Sequence, residues 1–107
     1  MTLAIYRKVT YDMNHNRTVR YSLYIDRKYI MECVTDSYKK KIERNVIKLL
    51  TSEVFTQPYI NQITNPLRYY YIPQGELIHE ENDTKLLKEL QVKLRKVQFE
   101  EDFKDER

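Results

Sequence analysis

His79, Glu80, Glu81 and Asp83 form the one tight grouping of metal-ligating side-chain types in this sequence. A catalytic zinc site of the helical kind wants two histidines four residues apart, and the only other histidine is the distant His15. The grouping reads instead as a polar strand end leading into an acidic helix start, where carboxylates suit the helix dipole. Cys33 is the single cysteine. A nucleophilic thiol needs a base and an electropositive, accessible setting. His15 falls in a turn segment, and nothing in the spacing brings it to Cys33. Alternation with Tyr29 and Met31 marks Cys33 as a small core residue. The one glycine, Gly75, leaves no glycine-rich phosphate loop. No catalytic residue, metal site or cofactor is therefore expected, and the chain does not read as an enzyme.

The remaining chemistry is that of surfaces. Ten tyrosines in 107 residues exceed what one small core needs, because each buried hydroxyl wants a partner. Tyrosine and arginine are enriched at the centres of protein interfaces. Tyr24, Arg68, Tyr69 and Tyr70 are the candidate partner-binding residues on this reading. The alternative is nucleic acid, with cations on phosphates and tyrosines stacked on bases. Its candidate residues are Tyr6, Lys8, Arg20 and Tyr24 on one sheet face, with Lys39, Lys40, Lys41 and Arg44 on the first helix. Charge supports this only in part. Residues 1–48 carry eleven Lys/Arg against five Asp/Glu, a surplus of six, whereas residues 76–107 carry seven against ten. A basic front and an acidic end either attract each other or serve different partners.

Several elements must position these residues. Leu3, Ile5, Val9 and Tyr11 alternate with Tyr6, Lys8 and Thr10, with Arg7 breaking the apolar face; this is strand periodicity. "DMNHN" supplies a turn, and Val19, Tyr21, Leu23 and Ile25 alternate with Thr18, Arg20, Ser22 and Tyr24. After a tight "DRK", "YIMECV" completes a three-stranded antiparallel meander. Thr35, Asp36 and Ser37 are N-cap types, and Tyr38, Ile42, Val46, Leu49 and Leu50 then recur at helical spacing over residues 36–54. "TQPYINQITNP", with two prolines, predicts an irregular but packed connection. "LRYYYI" and "ELIH" predict a hairpin across Ile72-Pro73-Gln74-Gly75, with the glycine in a left-handed position. Its alternation puts Leu67, Tyr69 and Tyr71 on one face and Arg68, Tyr70 and Ile72 on the other. Asn82, Asp83 and Thr84 cap a last helix whose apolar seam is Leu87, Leu90, Leu94 and Val97.

The expected fold is thus α+β, an antiparallel sheet in β-β-β-α-β-β-α order with two amphipathic helices. Its length suits one domain over residues 1–98, followed by an acidic, frayed tail over 99–107. "MTLAIYRKV" lacks a signal-peptide core, no segment reaches membrane-spanning length, and one cysteine suits a reducing compartment; a cytoplasmic location is expected. The functional expectation is a small non-catalytic module that regulates or inhibits a larger protein partner, as monomer or homodimer. Compact, charge-rich chains without catalytic motifs are typical of phage and mobile-element accessory proteins.

Overall fold

The computed structural model describes residues 1–65, 72–82 and 84–105, with side chains described as far as Val97. It is an α+β fold built on one antiparallel sheet. The chain runs β1 (Thr2–Tyr11), β2 (Arg17–Ile25), β3 (Lys28–Thr35), α1 (Lys40–Glu53), α2 (Gln57–Thr64), β4 (Glu76–Asn82) and α3 (Lys85–Asp105). The sheet order is β3-β2-β1-β4, so the meander is intact and β4 adds to its β1 edge.

The expected inward residues of β1 and β2 are inward except Tyr11, which ends β1 beyond the core and is 62% exposed. Leu3, Ile5, Val19, Tyr21, Leu23 and Ile25 are buried with Val46 and Leu50 of α1, Ile60 and Ile63 of α2, and Leu87 and Leu90 of α3. All three helices therefore close the same sheet face. Leu94 and Val97, the outer half of the α3 seam, are half-buried against this core. Among the described residues no helix is long and apolar enough to cross a membrane.

Four local expectations are corrected. First, residues 57–64 form α2 rather than an irregular connection. Pro58 sits in its first turn, where a missing N–H costs nothing and a fixed φ favours the helix. Second, α1 begins at Lys40, and its N-cap Lys39 makes no side-chain capping bond. Two of the cap-type side chains are engaged before the helix: Thr35 Oγ1 donates to Ser37 O (2.8 Å), and Ser37 Oγ accepts from Lys39 N (3.4 Å), while Asp36 takes part through its backbone O, which accepts from Arg17 Nε (3.0 Å). Third, Tyr38 and Leu49 do not join the core stripe; they are 42% and 48% exposed. Fourth, β4 pairs with β1, from Thr2↔Asn82 to Arg7↔Glu76. Its expected partner, "LRYYYI", lies at residues 67–72, of which 67–71 are outside the described residues and Ile72 is in no strand.

Two bulges shape the sheet. Between Leu23 and Tyr24 the β2–β3 register shifts, leaving Ile30 unmatched; between Ile5 and Tyr6 the β1–β4 register shifts, leaving Ile78 unmatched. Each extra residue turns inward, Ile30 buried and Ile78 half-buried. The β3 bulge has a second effect. It carries Tyr29 off the face of Met31 and Cys33 and sets it opposite Tyr24.

Candidate functional site

The sheet face away from the helices carries a row of three tyrosines, one from each strand of the meander. Tyr6 and Tyr24 meet edge to face at 5.6 Å between ring centroids, and Tyr24 meets Tyr29 in the same way at 5.9 Å. Edge-to-face contact puts the positive rim of one ring on the negative face of the next. Alternation places Tyr24 on this face, as expected, but its neighbours bury it: only 8% remains exposed. Burial raises the pKa of the Tyr24 and Tyr29 hydroxyls, that of Tyr29 to about 12, with the nearby Glu32 carboxylate adding to the effect on Tyr29 and Tyr6 then Glu32 on Tyr24. Tyr24 is thus the centre of a fixed aromatic bed, while the half-buried Tyr6 offers the accessible ring.

A cavity of about 440 Å³ opens beside this bed. Ala4, Tyr6 and Tyr24 line it from the sheet, Asp26 and Arg27 from the β2–β3 turn, Glu80 from β4, and Pro73 from the segment before β4. That segment is fixed at two points. Lys8 Nζ donates to Gln74 Oε1 (2.6 Å), and Gly75, at φ +101°, lies against the backbone of Arg7 and Lys8. The left-handed glycine expected at position 75 is therefore present, with close backbone approach as a second reason for it. In the β2–β3 turn, Asp26 and Arg27 both have positive φ, +48° and +69°. This is the backbone of a type I′ hairpin turn, which normally selects Asn-Gly or Asp-Gly. Asp26 secures it, because Thr2 N donates to its Oδ1 (2.8 Å) and Asp26 N donates to Thr2 O (2.9 Å).

The nucleic-acid candidates divide between two sides of the molecule. Tyr6, Lys8, Arg20 and Tyr24 share the sheet face away from the helices, where Lys8 is held by Gln74 and Arg20 Nε pairs with Glu32 at 3.4 Å. Lys39 at the N-cap and Lys40, Lys41 and Arg44 on α1 are exposed, across the core from that face. Arg68, Tyr69 and Tyr70 of the partner-binding set lie outside the described residues. No protein-family model, no curated protein and no solved structure matches this chain.

Arg7, the residue that breaks the apolar alternation, is a strut. Its guanidinium donates to both Glu43 oxygens on α1 (3.2 and 3.0 Å) and to Glu76 Oε2 on β4 (2.7 Å). It also stands 5.6 Å from the centre of the Tyr38 ring, which Arg17 covers at 4.5 Å. The strut ties helix, central strand and edge strand together at one end of the core. Of the acidic grouping, His79 Nε2 and Glu81 Oε1 pair with each other at 2.7 Å, while Glu80 faces the cavity and Asp83 is outside the described residues. Cys33 is half-buried against the core and is unpaired as a thiol. Sequence reasoning missed Asp26 and Arg27 and weighed Glu80 only as a metal ligand, because a two-residue turn and a distant strand meet only through the β1 register.

Proposed function

We propose that this protein is a small non-catalytic binding module that regulates or inhibits a larger protein, using the tyrosine-bearing sheet face. The supporting observation is the aromatic row Tyr6–Tyr24–Tyr29, set by two strand registers and one bulge on the side its helices leave uncovered. Rigid aromatic side chains give large contact area with little ordering cost, so such a bed suits the centre of an interface. Arg68, Tyr69 and Tyr70 extend the contact in this proposal, and the protein acts in the cytoplasm as an accessory protein of the phage or mobile-element kind. The test is affinity capture from native cells with and without nuclease. One partner retained after digestion, and lost on Tyr6→Ala, is the expected result; retention that disappears on digestion rejects it.

One observation favours nucleic acid as a second reading. Glu43 is turned to Arg7, so Lys40, Lys41, Arg44 and Lys48 occupy the exposed side of α1 without an ion-pair partner among the described residues. Such a stripe suits sequence-independent phosphate contact. A gel-shift titration tests it: affinity that falls steeply with salt and vanishes in Lys41→Glu/Arg44→Glu supports backbone binding, and a flat salt response removes it.

A further inference from the structure

The cavity beside Tyr6 and Tyr24 holds opposite charges that do not satisfy each other. Arg27 and Glu80 both line it, yet no ion pair joins them, and Arg27 has no hydrogen-bond or ion-pair partner among the described residues. Glu80 Oε1 accepts from Asn82 Nδ2 (3.1 Å), which leaves its second oxygen open. Asp26, on the same rim, accepts from Thr2 N through Oδ1 only, so it is a second carboxylate on the cavity wall with one oxygen open among the described residues. Arg27 also occupies the second of two consecutive left-handed positions, at φ +69°, where glycine would hold the turn without steric cost. A strained, unpaired cation on a cavity rim is the kind of outlier from which a role can be inferred.

We infer that the cavity binds a small zwitterionic ligand of the free α-amino-acid class. The ligand's carboxylate is held by the forked donors of Arg27 and its ammonium by Glu80, with its side chain over the Tyr6 and Tyr24 rings. Guanidinium is the best match to a carboxylate because it donates two parallel bonds. An ammonium gains from both the carboxylate and the negative faces of tyrosine rings. A volume of about 440 Å³ lies within the ordinary range for small-ligand sites. Neither charge alone explains the arrangement, because a purely anionic ligand meets Glu80 and a purely cationic one meets Arg27. This site does not depend on the protein-binding reading.

The experiment is an NMR titration of the full-length, ¹⁵N-labelled protein with each of the standard L-amino acids. The best ligand is then compared with its N-acetyl form, which lacks the cation, and its amide, which lacks the anion. At least one free amino acid is expected to give saturable shifts at Tyr6, Tyr24, Arg27 and Glu80, and each derivative to bind about tenfold or more weakly, the effect of losing one charged hydrogen bond. Arg27→Gly should melt at a higher temperature than the parent yet bind about tenfold more weakly. Its loss of binding cannot then be blamed on misfolding. Glu80→Gln, an exposed change, should weaken binding with the melting temperature unchanged. The inference is overturned if no amino acid gives a saturable shift at these residues, if either derivative binds as tightly as the free form, or if Arg27→Gly binds like the parent.

Discussion

Replacing Gly75 by alanine perturbs the joint between β4 and the rest of the sheet. Two costs arise. At φ +101° an L side chain crowds its own backbone, a penalty of about 1–2 kcal/mol. The added Cβ would also enter the space of the Arg7 carbonyl oxygen, and would lie 2.9 Å from the Arg7 carbonyl carbon and 3.2 Å from Lys8 Cα. All three are backbone atoms of the central strand β1, so no side chain can swing aside. The first residues of β4 must move, and with them Glu76, which holds Arg7 at 2.7 Å. Overpacking of this kind costs about 1–3 kcal/mol. Together the two terms give about 3 kcal/mol, or a fall in melting temperature of more than about 10 °C for a domain of this size. Thermal melts followed by far-UV circular dichroism measure it directly. Gly75→Asn separates the terms: asparagine tolerates positive φ better than alanine but carries the same Cβ, so it should be nearly as damaging. If Gly75→Ala melts within about 3 °C of the parent, the close approach to β1 does not exist as described.

Leu90 on α3 is fully buried, so Leu90→Ala should cost about 2–5 kcal/mol in a denaturant titration; a smaller loss would mean that α3 does not close the core. Tyr21→Phe should leave stability unchanged or raise it by about 1 kcal/mol, because the buried Tyr21 hydroxyl has no hydrogen-bond partner among the described residues and pays a desolvation cost in the fold. A clear loss would reveal a bond to that hydroxyl. Burial raises the pKa of Tyr21, Tyr24 and Tyr29. A raised folded value means stability present below the ordinary tyrosine range and lost as pH climbs through it, so the fold should weaken above about pH 10. Ultraviolet titration should show these phenols ionising above the ordinary tyrosine range, with Tyr29 near 12; ionisation of all three at the ordinary tyrosine value would contradict the aromatic bed.

The meander was legible because alternation in β1 and β2 is set by one buried face, and a one-residue slip would expose all of it. Gly75 was legible from the turn chemistry around it. The bulge at Ile30 was not. "YIMECV" reads as plain alternation, with Tyr29 beside Met31 and Cys33. An unmatched residue that buries both Ile30 and Met31 reverses Tyr29 and completes the tyrosine row. The same shift explains why Tyr24, correctly placed on the outer face, is buried there rather than exposed. Pro58 misled because a proline in a short segment looks like a breaker, whereas its first-turn position starts α2. The pairing of β4 with β1 spans the whole domain, and no local pattern encodes a contact that distant. The cavity inherits this. Arg27 and Glu80 are separated by β3, two helices and the first half of β4 in sequence, and only the sheet order joins them.

Site-specific photo-crosslinking in cells tests the central claim most directly. A photoreactive benzoylphenylalanine replaces Tyr6 on the sheet face in one variant and Arg44 on α1 in another, and both are irradiated and then treated with nuclease. Binding through the tyrosine face predicts one discrete, nuclease-resistant protein adduct at position 6 and none at position 44. A nuclease-sensitive adduct at position 44, with nothing at position 6, would contradict the account.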